Sequence, residues 1–553
     1  MTAAWPKNMP RSLDYPNVGI DAILEGAAHD YPNRLAYEQG EQSITYRELR
    51  EQARRVAGGL RARGIASGDV IAFHMPNSLS FMVAYYGTML AGAAVAALNP
   101  AQPTAALRQQ LESVAPKAIV TSASCASIAV EAAPASVEFL VGVPGGGELP
   151  AGVTPLADLL AAEPVADVRI DPNQVAHLQM TGGTTGVSKA VRALHRNVVA
   201  NVVQQSAWRA ATLPRVDEEG RLHLDQVPEA AGEHMLTPGA GVHVAIAPFF
   251  HGLGLVGNNV DLALGTTVLV AGGFDPERML ADIEARGVTQ LIGSPPMYYA
   301  MLRSPSAATR DLSSVRILVS GAAPIDTTAL GQLRRVFPNA DVMEGYGLSE
   351  ATMGVSSGAI NSEVETPVGS IGIPIFDTEV DLRDSHGAPV AVGDVGEMWV
   401  RGPQVTDGYQ GQPELTAIQF RDGWLLTGDL ARRDEDGFLY IVGRSKDMII
   451  YKGYNVYPQQ LEDIACSHPA VAQAAVVGKP SEIAGEIPVA FVVLRPGADE
   501  TATLADEIIT HVGEQVAPYQ KVREVIVLDA LPTTPTGKVS KNVLRERFAT
   551  TTV

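Results

Sequence analysis

The chain has little of three things: cysteine, aromatic side chains and positive charge. Two cysteines, Cys125 and Cys466, stand in 553 residues, with no CxxC pair. That excludes a disulfide framework and a cysteine-rich zinc site, and it suits a reducing compartment such as the cytoplasm. Lysine and arginine total 41 against 61 acidic residues, a net charge of −20. A field of that sign repels nucleic-acid phosphates and anionic lipid surfaces, so neither is an expected partner. Any small anion must be met by a local cluster of cations. The first residues, MTAAWPKNMPRSLDYP, lack the apolar core of a signal peptide. The longest uncharged run, Phe81 to Leu98, reads as a buried helix rather than a membrane span, being rich in Ala and Gly with two internal tyrosines.

What is present is alternation. From about residue 242, VHVAIAPFF, TTVLVAG, VTQLIGSPP and SVRILVSGAAP read as strands, and ADVMEGYGLSE as a strand running into a glycine turn. Between them, DPERMLADIEARG and TTALGQLRRVF read as helices, and MYYAML starts another. Repeated β-α-β units predict a large α/β domain of several mostly parallel sheets covered by helices. In such sheets ligands sit beyond the carboxyl ends of strands, where SGAAP and EGYGLSE lie. After about residue 440 the texture changes, and QAAVVG, VAFVVL and ADEIITHVGEQV predict a small separate α+β domain. The acidic segment LPRVDEEGRLHLDQVPEAAGEH reads as a surface excursion, with cover over a ligand tunnel or contact with a partner left open.

The stretch QMTGGTTGVSKAV, Gln179 to Val191, has too little apolar surface for core and too much glycine for helix. It fails the Walker A test, because Lys189 lies three residues after Gly186 and Ala190 supplies no hydroxyl. Its flanks, QVAHLQM and KAVRAL, read as the two strands of a hairpin. A loop of amides and hydroxyls can still wrap a polyphosphate, with one lysine offsetting its charge.

Four blocks, TGGTTGVSKAV, EGYGLSEAT, WLLTGDLARRDEDGFLYIVGRSKDMIIYKGYNVYPQQLE and LPTTPTGKVSKNVLR, occur in this order. Together they resemble the adenylate-forming superfamily of acyl- and aryl-CoA synthetases, peptide-synthetase adenylation domains and luciferases. GYNVYPQQLE is most similar to the fatty acyl-CoA synthetase branch. The resemblance implies ATP, Mg2+ and coenzyme A as reactants, and a carboxylic acid made first into acyl-AMP and then into a thioester. It implies an adenylation domain over 1–443, a hinge at 444–446 and a mobile domain over 447–553.

Two unit charges at 4 Å repel by about 1 kcal/mol in water and about 4 kcal/mol at an effective dielectric of 20. A carboxylate meeting a polyphosphate therefore needs cations. By resemblance, Lys538 bridges the acid and the α-phosphate, while neighbouring Lys541 reads as surface. Thr181, Gly182, Gly183, Thr184, Thr185, Gly186 and Lys189 wrap phosphates. Glu350 is the magnesium carboxylate, and Ser349 contacts phosphate. Tyr346 faces adenine, which Gly345 and Gly347 let the backbone approach, with Glu344, Gly321, Ala322 and Ala323 nearby. Asp429 accepts from the ribose hydroxyls, and Arg444 donates to ribose or phosphate. His251 stands beside the acyl carboxylate, with Phe249, Phe250, Asn259, Met297, Gly321, Gly347 and Val355 as candidate walls. Lys446 is the hinge, and Lys452, Gly453 and Tyr454 form the thiol-accepting face. Three departures are visible: Gly182 lacks a hydroxyl, Ala190 replaces a glycine, and Ile450 stands where several relatives carry lysine. A carrier protein in place of CoA, a nucleotide-binding scaffold without catalysis, a homodimer, and a fatty, aryl or polycyclic acid all stay open.

Overall fold

The computed structural model describes residues 4–145, 147–166, 168–181, 189–321, 325, 327–481, 483–533 and 539–549. By contact the chain falls into two compact units, Met1–Val380 with Val400–Leu425, and Asp381–Trp399 with Leu426–Val553.

The larger unit rests on two sheets. In one of nine strands, Val242–Ala245 lies between Thr267–Val270 and Gln290–Gly293, and the parallel series continues through Ile317–Ser320 to Asp341–Gly347. In the other, of seven strands, a parallel series ends at Val175–Thr181, and Lys189–Leu194 closes the edge antiparallel. The expected mostly parallel α/β architecture is what forms. One helix shows why. Asp275 caps Pro276–Arg286 by accepting from Arg278 N at 2.7 Å, and Gly287, at φ 62°, ends it. Met279, Leu280 and Ile283 recur at helical spacing, and all three are buried against Leu291 and Leu318 of the sheet. Each such side chain contributes about 1.5–3 kcal/mol by burial, so Leu280→Asp would break this layer.

Three expectations need correction. The run Phe81–Leu98 is not one helix: Leu79–Ala91 is helical, Gly92 at φ 90° turns the chain, and Ala94–Leu98 is a strand. Both elements are buried on all sides, which is why no polar periodicity marks the break. No helix among the described residues is long and apolar enough to cross a membrane. The acidic segment, expected as a surface excursion, is a hairpin, Thr212–Val216 with Leu222–Gln226, and the second strand is largely buried. Its Leu222 and Leu224 are buried, and it packs so tightly on the Ile20–Asp30 helix that a Cβ at Gly26 would fall 1.9 Å from the Leu222 carbonyl oxygen. Its acids are answered locally: Arg215 lies 2.6 Å from Asp225, and Arg221 2.6 Å from Asp217.

The smaller unit has the expected α+β character. Val471–Ser481 and Gly485–Leu494 pair antiparallel, and Glu524–Val527 joins Gly485–Leu494 in parallel. Strand alternation sends Val476 into one core with Leu461 and Ile508, and Ala475 and Val477 into another with Phe491 and Leu544. Here the third correction falls. Lys541 is not a free surface lysine: its Nζ lies 2.6 Å from Glu462 Oε1, and its side chain is 19% exposed. Glu462 also accepts from Val476 N at 2.7 Å, and a carboxylate so enclosed requires a counter-charge.

Candidate active site

The predicted pairing of the strands that flank residues 182–188 forms, its register running from Val175 opposite Leu194 to Thr181 opposite Lys189. Gly182, Gly183, Thr184, Thr185 and Gly186 lie outside the described residues, as do Ala322, Ala323 and Lys538. Lys189 is described, and its Nζ stands 5.2 Å from the centroid of the Tyr409 ring. The Tyr409 hydroxyl in turn donates to Glu350 Oε1 at 2.8 Å. One buried ring thus links the loop's lysine to the carboxylate of the YGLSE block. Burial, and then the Glu350 charge, hold the Tyr409 phenol well above its ordinary range, so it stays protonated and donates.

Tyr409 was not legible as a site residue. It reaches this place because residues 407–410 run along the hairpin's edge strand. Arg192 N donates to the Gly408 carbonyl at 2.9 Å, and Gln410 N to the Ala190 carbonyl at 2.8 Å. Arg192 also pairs with Asp407 at 3.2 Å. The only sequence signal is a tyrosine set between glycines, in DGYQG.

Glu350 sits in the short 3-10 turn Ser349–Ala351. Its carbonyl accepts from Thr406 N at 2.9 Å and Thr406 Oγ1 at 3.0 Å. Two residues on, Thr352 adopts φ 64° and ψ −57°, a strained geometry for a β-branched residue. It is held there by its hydroxyl, which donates to the Gln404 carbonyl at 2.7 Å, and by its own carbonyl, which accepts from Gln179 Nε2 at 3.2 Å. Gly252 fits beside this junction, where a Cβ would fall 2.8 Å from Gln179 Oε1 and 3.0 Å from the Thr352 carbonyl oxygen. The residue after His251 is therefore wedged between the loop-bearing strand and the Glu350 turn. His251 caps the Gly252–Ala263 helix, its Nδ1 accepting from Leu253 N at 3.3 Å, which leaves the neutral ring's proton on Nε2. Twelve aligned peptide dipoles end here with their positive pole, a setting that favours an anion.

The GYG triplet is not the glycine turn expected. Asp341–Gly347 stays a strand, with Gly345 opposite Ser357 and Tyr346 opposite Ser356. Gly347 has its own packing reason, since a Cβ there would fall 1.7 Å from the Met353 carbonyl oxygen. Glu344 is buried on the same strand, opposite Ser320, and Gly321 follows Ser320 with its N donating to the Gly293 carbonyl at 2.9 Å.

Among the candidate walls, Phe249 is buried edge-on to Phe81 with centroids 5.3 Å apart, and Phe250 is partly exposed beside it. Val355 is fully buried on Gly354–Ser357, and Met297 belongs to the sheet-and-helix core. Asn259 lies in a network of its own: it donates to Tyr85 Oη at 3.0 Å and accepts from Tyr86 Oη at 3.2 Å. Gly257 is a position that sequence reasoning passed over. It is buried on the His251-capped helix, yet a Cβ there would meet nothing within 4 Å, so open space lies against it.

The smaller unit brings Asp429, Arg444 and Lys446 together. Asp429 pairs with Arg444 across a hairpin, with Arg444 Nε 2.9 Å from a buried Asp429 Oδ1. Burial, and next the Arg444 charge, lower the Lys446 pKa. Lys452 and Gly453 form the two-residue tip between Ile449–Tyr451 and Tyr454–Val456, at φ 50° and 83°. Left-handed geometry at both positions is what such a turn demands, and it explains the glycine. The tip is open around Gly453, and exposed Tyr454 stacks on Tyr519 with centroids 4.7 Å apart.

Residues 24–410 match the family described as AMP-binding enzyme, and residues 460–538 match the AMP-binding enzyme C-terminal domain. The chain belongs to the adenylate-forming superfamily. Within it the ligase falls in the acyl-CoA and amide ligase branch, as an AMP-forming acid–thiol ligase. It is 30% identical to the long-chain-fatty-acid–CoA ligase of Bacillus subtilis, over 98% of this chain and 97% of that protein. It is 31% identical to the 4-coumarate–CoA ligase-like 6 protein of Arabidopsis thaliana, over 96% of this chain and 90% of that one. Its structure is similar to that of ATP-bound MatB from Rhodopseudomonas palustris, with TM-score 0.83 and 29% identity over 96% of this chain and 99% of that one. Lys189, His251, Glu350 and Tyr409 all fall within the first matched span of the ligase.

Proposed function

We propose that this adenylate-forming ligase is an acyl-CoA synthetase for a hydrophobic carboxylic acid. A carboxylate oxygen attacks the α-phosphorus of ATP, the bond to pyrophosphate breaks, and acyl-AMP forms. The CoA thiolate then attacks the acyl carbonyl, and AMP leaves with the former carboxylate oxygen. In the first step Lys189 and Lys538 offset phosphate charge, and Lys538 bridges the acid and the α-phosphate. Asp429 accepts from the ribose hydroxyls, Tyr346 faces adenine, and His251 stands at the acyl carboxylate. A single carboxylate beside substrate phosphates suits Mg2+, which keeps several waters, and Glu350 is the residue that would hold it. When bound, that ion supplies positive charge to the phosphates. Residues 447–553 turn about 444–446, so that Lys452, Gly453 and Tyr454 replace Lys538 for the thiol step.

The observation that most supports this reading is the line Lys189–Tyr409–Glu350, beside a helix whose positive end is capped by His251. It supplies a cation, a fixed carboxylate and an anion-favouring dipole within one unit. The open space at Gly257 leaves room for an acyl group on the His251-capped helix.

A screen of acids by chain length and ring type, read as pyrophosphate and AMP release with CoA present, tests it. Acid-dependent pyrophosphate release that yields a CoA thioester is expected. Thioester formed only on a phosphopantetheinyl carrier protein would move the assignment to a carrier-loading ligase. No acid-dependent release from any member of the screen would overturn it.

A further inference from the structure

The acidic hairpin has no part in the chemistry above, yet it builds a cluster of metal-binding atoms that includes no residue assigned so far. His29 and Asp30 end the Ile20–Asp30 helix, and His223 projects from the hairpin strand Leu222–Gln226. His29 Nδ1 lies 3.0 Å from Asp30 Oδ1. His223 Nδ1 lies 3.0 Å from the same oxygen and 2.8 Å from Asp30 Oδ2. One donor atom from each of the three residues falls within 4.8 Å of the others. We propose that His29, Asp30 and His223 form a binding site for a divalent cation of the zinc class.

Four observations bear on that assignment. Two imidazoles and one carboxylate are the donor set of zinc and its first-row neighbours, whereas Mg2+ and Ca2+ prefer oxygen alone. Zinc bonds of about 2.0–2.1 Å in a tetrahedron place donor atoms about 3.3 Å apart, so the nitrogen–oxygen spacings need to open by only a few tenths of an ångström. The outer contacts are built as well. His223 is buried, and its other nitrogen, Nε2, lies 2.9 Å from Asp217 Oδ2. A carboxylate behind a ligating imidazole fixes the ring's tautomer and raises its basicity. Asp217 is itself held, its Oδ2 accepting from Arg221 Nε at 2.6 Å and its Oδ1 from Arg221 N at 2.8 Å. Finally, the site lies at the carboxyl end of an eleven-residue helix, where the peptide dipole favours a cation. His29 and Asp30 face solvent, which gives an ion a way in and leaves a coordination position for water.

An ion here would staple the hairpin to the amino-terminal helix, two segments about 190 residues apart in sequence and otherwise joined by packing around Leu222 and Gly26. Asp217 and Asp225 carry arginine partners, and Asp30, on the helix, is left to serve the imidazoles.

The test uses the full chain with excess Mg2+, so that the magnesium site does not compete. Zn2+ binding is measured by titration calorimetry, and Co2+ is substituted for its visible absorption. His29→Ala alters an exposed residue, so the hairpin stays folded. We expect it to remove one zinc equivalent or weaken that equivalent at least ~10-fold, and to abolish the Co2+ band. Asp217→Asn, which keeps the shape behind the buried ring, weakens the same equivalent ~10-fold. Zn2+ raises the melting temperature of the parent but not of His29→Ala. Equal zinc stoichiometry and affinity in parent and His29→Ala, or no Co2+ band in the parent, would overturn the proposal.

Discussion

The two units of this ligase differ in the titratable groups they bury. The larger one buries neutral histidines. His74, His177 and His195 are enclosed, and burial lowers their pKa values to about 4, 3 and 4. Around its candidate site it fixes polar groups by hydrogen bonds, as in Tyr409 to Glu350 and Gln179 to the strained Thr352. The smaller unit buries none of its described histidines, His386, His468 and His511, and sets its ions in pairs. Lys541 meets the buried Glu462, Lys479 meets Glu524 at 2.7 Å, and Arg545 meets Asp447 at 2.6 Å. Its Lys452 stands on a hairpin tip. Fixed dipoles in a dry setting stabilise developing charge without reorganising, whereas cations on exposed turns are cheap to move. The contrast suits a division of labour in which one body holds the reactants and the other brings charge to them.

The sharpest way to break that contrast is to damage the fixed side. Glu350→Gln removes the carboxylate and is expected to lower acid-dependent ATP–pyrophosphate exchange by roughly 10²–10³-fold. Tyr409→Phe removes only the hydroxyl that orients it, and should cost about 10-fold in kcat/KM, as loss of a hydrogen bond to a charged group does. Equal effects of the two would mean that Tyr409 does more than position Glu350.

A second test uses acid. The three buried histidines have folded pKa values below the unfolded value near 6.5, so the stability they confer is complete above that pH. It is lost as pH falls from there through about 4 for His74 and His195 and through about 3 for His177, on the order of 3–5 kcal/mol for each once protonated. Hydrogen exchange, corrected for its intrinsic pH dependence, should show the strands Val70–His74 and Val175–Thr181 losing protection before Gly485–Leu494 as pH drops from 6.5 to 4. Loss in the reverse order would contradict this picture of the larger unit.

The smallest change sharpens substrate choice. Gly257→Leu fills the space on the His251-capped helix. It should raise KM for long or bulky acids about 10-fold, on the scale of a few methylenes in an apolar pocket, while KM for ATP stays unchanged. Unaltered KM across chain lengths would place the acyl group elsewhere.

Much of this was legible in the sequence, for physical reasons. The strand–loop–strand around Lys189 and the Asp275-capped helix were visible because turn and cap chemistry is local. The chain after Ala91 was not, because a helix and a strand that are both fully buried share one apolar composition. The GYG triplet read as a turn, since strand pairing with Gly354–Ser357 comes from a segment whose approach no local pattern announces. Tyr409 was hidden for the same reason: it lies 59 residues from Glu350, and only tertiary pairing with the Lys189 strand brings the two together. Gly257 was invisible because empty space has no sequence signature.

The account depends most on a cation from the smaller unit being needed for acyl-AMP formation and not for thiol transfer. The direct measurement is Lys538→Ala assayed in both half-reactions. Acid-dependent ATP–pyrophosphate exchange should fall by at least about 10²-fold, while thioester formation from preformed acyl-AMP and CoA stays within a few-fold of the parent. Equal losses in the two half-reactions, or no loss of exchange, would contradict the division of labour between the units.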